Sequence, residues 1–258
     1  MALVSGALLA VDGLPSVARW EVEWDRRTID VVTSGTKEAL VRACGAADWQ
    51  ATIECLGWPD KTPGEEFTFK GSIDGTNGAT GDCYLEEIQV VADYENNAPL
   101  MTTYRAVSNG ALTFGAAAAT DAAAPDVICP ATIAVTGVTG DVAAWIFVAR
   151  RTGIPYTSSK TDGVRKRVKG AWNISAIVDL YLGSGVPTLD ASTALTFGGD
   201  AGITFNGAYA HRVQEFGADS SIIVNGRELK RFRVTFDHDA RDSGNTVKVA
   251  GTTLWPVT

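Results

Sequence analysis

Two tryptophan-bearing segments divide the chain into similar halves. The segment LAVDGLPSVARW ends at Trp20, and the segment IAVTGVTGDVAAW repeats its pattern with one inserted residue and ends at Trp145. The two tryptophans lie 125 residues apart in a chain of 258 residues. A separation of nearly half the chain predicts that one domain has been duplicated.

Further short matches keep the same order and nearly the same separation. They pair Ala47–Thr52 with Gly170–Ser175, Thr68–Phe69 with Thr196–Phe197, Ala92–Asp93 with Ala218–Asp219, and Tyr104–Arg105 with Phe232–Arg233. We expect a first domain over residues 1–115, a linker over 116–130 and a second domain over 131–258. Each domain has the usual size of a unit with its own core. The alternative is two unrelated β segments with coincident tryptophans.

The composition is that of a globular protein. Hydrophobic residues make up 45% of the chain and charged residues 20%. No apolar run approaches the roughly 18 residues of a membrane helix, and the apolar start lacks a positively charged leader region. We expect that start to form the first strand of a protein that is not exported. Four cysteines without a CxxC spacing predict free thiols in a reducing compartment.

The two halves differ in charge. Residues 1–124 contain 18 acidic and 8 basic side chains, a net charge of −10, whereas residues 125–258 contain 12 and 14, a net charge of +2. In an assembly, such opposite charges favour contacts between unlike halves over contacts between like ones. Drift on solvated surfaces is the alternative explanation.

The local patterns predict a mainly β fold. Residues 18–24 alternate apolar and charged side chains, so that Trp20, Val22 and Trp24 share one face of a strand. Residues 142–149 are nearly all apolar, which predicts a strand that is buried on both faces or lies against a neighbouring domain. The segments that begin at Trp49 and Trp172 are predicted to be core strands.

Two β-hairpins are predicted. Residues 85–94 and 100–108 flank a turn rich in Asn and Pro, and residues 221–224 and 227–236 flank the pair Asn225–Gly226. A helix packed on the sheet is the alternative for Tyr84, Ile88 and Val91 and for Tyr209, Val213 and Phe216, which share helical spacings. Thr36 is also a candidate N-cap of one short helix, whereas residues 161–170 are predicted to form a loop.

No active site can be assembled from the sequence, and we nominate no catalytic, cofactor-binding or metal-binding residue. The best metal candidate, Asp237–His238–Asp239 with Asp242, is interpreted as a solvated turn. The adjacent pairs Glu65–Glu66 and Glu86–Glu87 point to opposite faces of a strand, which does not suit a hydrolytic pair. The basic cluster 165–169 lacks interleaved aromatic residues, which favours a solvated or intersubunit loop over a phosphate site.

Two motifs resemble those of major tail tube proteins of long-tailed bacteriophages. They are the segment Ala47-Asp48-Trp49-Gln50-Ala51-Thr52 and the strand ending Ser108-Asn109-Gly110-Ala111-Leu112. The second half has Thr235-Phe236-Asp237-His238 in place of that ending. The resemblance implies two tandem tube-like β-sandwich or barrel domains, each with long β-hairpins and at most one short helix.

The resemblance also implies a function as a structural virion protein, with no cofactor and no enzymatic activity. In this family six domains close a ring around a lumen and the rings stack into a tube, through which double-stranded DNA passes during ejection. Three copies of a two-domain chain would form a homotrimeric, pseudo-sixfold ring. Other expected partners are the tail terminator and the baseplate or tip proteins, with no membrane. The expected location is the virion tail, after assembly in the bacterial cytoplasm.

Two alternative functions remain open. A baseplate hub or distal tail protein can also contain two tube-like domains. A glycan-binding adhesin module would instead use exposed tryptophans of two β-sandwiches.

Overall fold

The chain folds into one large β-sheet. The computed structural model describes residues 2–7, 10–31, 41–116, 119, 127–161, 163–189, 192–241 and 244–255. The regular elements of these residues are fifteen β-strands and three-residue 3-10 turns. The prediction of a mainly β fold is confirmed. The predicted linker lies largely outside the described residues, as does the candidate N-cap Thr36.

The strands of the first half are long and begin close to the amino terminus. They are β1 (Ala2–Ala7), β2 (Val17–Val31), β3 (Val41–Leu56), β4 (Glu66–Ser72), β5 (Asn77–Asp93) and β6 (Ala98–Ala116). Those of the second half are β7 (Val135–Thr136), β8 (Asp141–Tyr156), β9 (Lys166–Leu182), β10 (Ser192–Phe197), β11 (Ile203–Glu215), β12 (Ile222–Val224), β13 (Arg227–His238), β14 (Val247–Val249) and β15 (Thr252–Trp255).

Five strands of each half are arranged in the same order. The first half has β2-β3-β6-β5-β4, and the second half has β8-β9-β13-β11-β10. In both sets the strands thus follow the order first, second, fifth, fourth, third along the chain. Strand β5 also pairs with β8, which makes the two sets one continuous sheet. The common order supports the predicted duplication, which stays a prediction.

Each set curls until the segment that precedes its first strand meets its third strand. In the first half, Val11 bridges to Gly71 of β4, and the rings of Trp20 and Phe69 lie 5.5 Å apart. A Cβ on Gly71 would lie 2.6 Å from the Phe69 ring, so only glycine fits at this contact. The Trp–Phe contact is repeated in the second half. The sheet therefore encloses an apolar interior in each half, as in a sandwich or barrel.

The second half closes through the equivalent elements. Strand β7, which directly precedes β8, pairs with β10, just as the segment preceding β2 bridges to β4. The rings of Trp145 and Phe197 lie 4.5 Å apart, and both side chains are fully buried. Aromatic pairs of this kind contribute about 0.5–1.5 kcal/mol beyond their burial. Both pairs of sequence landmarks, Trp20 with Trp145 and Phe69 with Phe197, thus occupy equivalent core positions.

The alternation predicted for β2 is confirmed for Trp20 and Val22, which are buried. Trp24, at the far end of the same face, is 39% exposed. Strand β8 pairs with β5 and β9 and alternates buried with half-buried side chains, so it is a central strand against a neighbouring half, as one of the two predictions stated. Strands β3 and β9 confirm the core strands predicted at Trp49 and Trp172.

Both predicted hairpins are present. Strands β5 and β6 form the first, and β12 and β13 form the second around Asn225–Gly226, which both have positive φ angles as a tight hairpin turn requires. The helical alternative was wrong, because Tyr84, Ile88 and Val91 lie in β5 while Tyr209 and Val213 lie in β11. Register shifts in both strands break the alternation of two and produce the helix-like spacing. No α-helix occurs in the described ranges.

Candidate functional site

The two halves are joined by main-chain pairing between β5 and β8. Seven residue pairs, from Glu87 opposite Arg150 to Asp93 opposite Ala144, form this part of the ladder. Val90 lies opposite Phe147, and both side chains are fully buried. Because opposite residues share one face of a sheet, the apolar interior continues from one half into the other. We call this contact, together with the ion pairs described next, the junction.

Asp48 is the centre of the polar part of the junction. Its carboxylate accepts hydrogen bonds from Arg165 at 2.6 Å and from Arg167 at 3.0 Å, and also from the hydroxyl of Ser108. The Arg167 side chain is only 11% exposed. A buried guanidinium needs such a partner, because an unpaired charge away from water is costly. Asp48 thus fixes two second-half arginines on the first half.

The two motifs that resemble tail tube proteins meet at this cluster. Besides Asp48 and Ser108, the side chain of Asn109 accepts a hydrogen bond from the main-chain N–H of Arg167 at 2.9 Å. The Trp49 indole donates to the carbonyl of Gly110 at 2.9 Å, which ties the motifs to each other. The expectation of a solvated or intersubunit loop at residues 165–169 was therefore wrong for Arg165 and Arg167, which bind the other half of the same chain, and the loop predicted over 161–170 ends where β9 begins, at Lys166. Their partner is 117 to 119 residues away, so local sequence patterns could not reveal it.

Charge is distributed unequally across the junction. Arg150 approaches Glu86 at 3.5 Å and Glu87 at 3.8 Å, and Arg231 lies 3.0 Å from Glu95. In each of the five ion pairs that join described residues of the two halves, the acid belongs to the first half and the base to the second. The surplus of acidic residues in the first half is thus used at the contact with the more basic half.

A wide cleft lies at the corresponding surface of the second half. It has a volume of about 620 Å³ and is lined by Trp172, His238 and Trp255, among others. Trp172 corresponds to Trp49, and strand β13, which contains His238, corresponds to β6. A buried ring nitrogen of each of these three side chains has no hydrogen-bond partner among the described residues. Arg151 lies over the Trp172 ring, at 5.1 Å from its centroid, and the rest of the cleft is open, whereas Arg165 and Arg167 lie on the first half.

The edges of the sheet differ in the same way. The outer edge of β2 pairs with β1, but among the described residues β12 pairs on one side only, with β13. Its side chains Ile222, Ile223 and Val224 are all exposed, Ile223 by 77%. An exposed apolar edge strand is a site where another strand can add.

The metal candidate of the sequence is dispersed into separate contacts. Asp237 lies 3.1 Å from His211, and Asp239 pairs with Arg241, which lowers the pKa of Asp239 to about 2 through hydrogen bonds. Burial lowers the pKa of His238, whose ring packs against Phe205 and Trp255. Asp242 lies outside the described residues. The described part of the chain contains no group of three or more His, Cys, Asp or Glu side chains that could hold a metal ion.

The remaining candidates have structural contacts. Glu65 accepts hydrogen bonds from Thr62, while Glu86 is buried at the junction. Cys83 and Cys129 form no disulfide, and burial raises the pKa of the Cys83 thiol. The side chain of Cys44 lies outside the described residues. No helix of the described ranges is long and apolar enough to cross a membrane.

One exposed aromatic pair lies beside the junction. The rings of Trp24 and Phe114 are 6.0 Å apart and inclined by 60°, and both are more than a third exposed.

No family model matches the chain, and no curated protein has significant sequence similarity to it.

Proposed function

We propose that this chain is a structural virion protein that polymerises as stacked rings into a bacteriophage tail tube. The observation that carries the proposal is the junction, where two sets of strands with the same order join head to tail through β5 and β8. A head-to-tail contact can be repeated between chains until a ring closes. The two motifs that resemble tube proteins lie at that contact, as an assembly function requires.

Three chains per ring follow from the proposed duplication. Each chain supplies two similar units, so three chains supply the six units of a pseudo-sixfold ring. The junction would then alternate with a contact between the second half of one chain and the first half of the next. The net charges of −10 and +2 favour that alternation, because both kinds of contact bring unlike halves together.

Passage of DNA is compatible with the overall charge. A duplex carries one negative charge about every 1.7 Å and binds tightly to basic surfaces. The chain has a net charge of −8, so a tube made from it would on balance repel DNA rather than bind it. The proposal requires no catalytic group, since ring closure and stacking involve non-covalent contacts only.

Electron microscopy of the purified full chain tests the proposal. At high protein concentration we expect stacked rings with a central hole and a sixfold appearance in projection. Monomers that persist at every concentration would contradict it. Single rings that never stack would favour the baseplate hub or distal tail protein. The number of copies in the virion also separates a tube protein from these alternatives.

A function of another class, binding to glycans, would use the exposed pair Trp24 and Phe114. Aromatic rings stack on sugars, but two rings inclined by 60° present no common flat platform. Binding of the monomer to a glycan array, lost in Trp24→Ala, would support the adhesin function over the tube.

A further inference from the structure

The amino-terminal strand β1 covers an edge that has a different partner in the second half. It pairs with β2 at residues 19–24. Trp20 of β2 corresponds to Trp145 of β8, and the matching edge of β8, residues 144–150, pairs with β5. Strand β1 therefore occupies on the first half the position that a neighbouring half occupies on the second.

The matching free edge lies at β12. The end of β5 that pairs with β8 belongs to the tip of the β5–β6 hairpin, where Val91 lies opposite Met101. In the second half the tip is the β12–β13 hairpin, where Ile222 lies opposite Leu229. Strand β12, with the end of β11 at Gln214 and Glu215, is thus the counterpart of the docking segment of β5, but no strand of the described chain covers their outer edge.

We propose that a second copy of this chain docks the β12 edge on the β2 edge after β1 has been displaced. The new contact would repeat the β5–β8 pairing between chains, with the second half of one copy against the first half of the next. It would also bring the more basic half against the acidic one. This inference rests on the proposed ring, and it adds that β1 restrains assembly by holding the docking edge.

The open cleft at Trp172, His238 and Trp255 is a second place where the same copy of the chain would bind. At the junction the tip of the β8–β9 hairpin lies over β3 and β6 of the first half and places Arg165 and Arg167 there. A second copy docked in the same manner would lie over β9 and β13. The incoming chain would then fill the cleft of about 620 Å³ that is lined by these side chains.

The exchange of β1 for β12 has matched partners. Strand β1 makes six residue pairs with β2, and β5 makes seven with β8. The three residues of β12 alone are too few to replace β1, so the incoming edge must also include residues 212–215 of β11, which in the described chain pair only with β13. We therefore expect β1 to delay association of the chains without preventing it.

A reversible disulfide across β1 and β2 tests the displacement. Ser5 and Glu21 lie directly opposite each other, and opposite residues in an antiparallel ladder are close enough for a disulfide. The double variant Ser5→Cys/Glu21→Cys should assemble like the wild type when reduced. When oxidised, its association followed by light scattering should be about tenfold slower or absent, since β1 can no longer leave. The single variant Ser5→Cys under the same oxidant is the control.

A proline in the free edge tests the docking strand. Val224 and Arg227 close the two-residue turn, so the N–H of Ile223, one position further along, points away from β13. Ile223→Pro removes that donor and should abolish association. Glu228→Pro is the matched control, because Glu228 lies opposite Ile223 and its N–H points away from β12. The pairing of β13 with β9 begins only at Lys230, so this N–H makes no ladder contact with β9. It should leave association unchanged.

The outcomes separate this inference from the tube itself. Oxidised and reduced double variants that associate at equal rates would overturn the inference while leaving a tube intact. Loss of association on Ile223→Pro and on oxidation, together with a wild type that forms closed rings but never stacks them, would support the inference and contradict the tube. A reduced variant and a wild type that both stay monomeric would contradict both.

Discussion

Replacing Asp48 with alanine should weaken the joint between the two halves. The change removes the acceptor of Arg165, Arg167 and Ser108 and leaves the Arg167 side chain, 11% exposed, without its carboxylate. The main-chain pairing of β5 with β8 stays intact. The effect should therefore appear as lower stability of the chain rather than as loss of the fold.

The expected magnitude follows from the contacts. Hydrogen bonds to charged groups contribute about 1.5–3 kcal/mol each when buried, but the Asp48 side chain is 28% exposed and water replaces part of the loss. We expect the free energy of unfolding to fall by about 2–3 kcal/mol in total. For a chain of this size, the melting temperature should fall by about 5–10 °C.

The assay is urea unfolding of Asp48→Ala beside Asp25→Ala. Asp25 lies directly opposite Asp48 in the β2–β3 ladder and is exposed, so its removal also relieves repulsion between two like charges. We expect that control to stay within about 0.5 kcal/mol of the wild type. A double-mutant cycle with Arg167→Met should give a coupling energy of about 1–2 kcal/mol. Equal destabilisation by both aspartate variants, or zero coupling, would refute the role of Asp48.

Three further predictions concern the core, a close contact and a titration. Trp20→Ala and Trp145→Ala should each cost about 3–5 kcal/mol of unfolding free energy, and a much smaller cost for one would contradict their equivalence. Gly71→Ala should lower the free energy of unfolding by about 1–3 kcal/mol, because the added Cβ meets two aromatic rings. An unchanged melting temperature by calorimetry would contradict this close contact. Arg241→Ala should raise the pKa of Asp239 from about 2 toward 3.8, as measured by NMR. Because that pKa is lowered on folding, the stability from this pair is present above about pH 4 and is lost between about pH 4 and 2.

Much of the fold could be predicted from local patterns. The spacing of Trp20 and Trp145 gave two halves whose strands have the same order, and the pair Asn225–Gly226 gave a tight hairpin. The helical alternative failed at β5, where a bulge and the contact with the second half leave Cys83, Tyr84, Leu85 and Glu86 all buried in succession. A bulge depends on tertiary packing, so periodicity alone cannot distinguish it from a helix.

The junction could be predicted only in part. Asp48, Trp49 and Ser108 belong to the two motifs that carry the resemblance, but no contact was assigned to them, and Arg165 and Arg167 were interpreted as a separate solvated or intersubunit loop. Their ion pairs span more than a hundred residues, and only the continuation of the sheet from β5 into β8 brings them together. A first strand at the start of the chain was expected, but its pairing with the edge of β2 could not be predicted from local sequence patterns.

Native mass spectrometry of the purified rings tests the central claim most directly. The account predicts a closed ring with three times the chain mass of 27.2 kDa, since each chain supplies two units joined at the junction. A ring with six times that mass would contradict the proposed equivalence of the halves, and a species of the single chain mass at every concentration would contradict ring assembly itself.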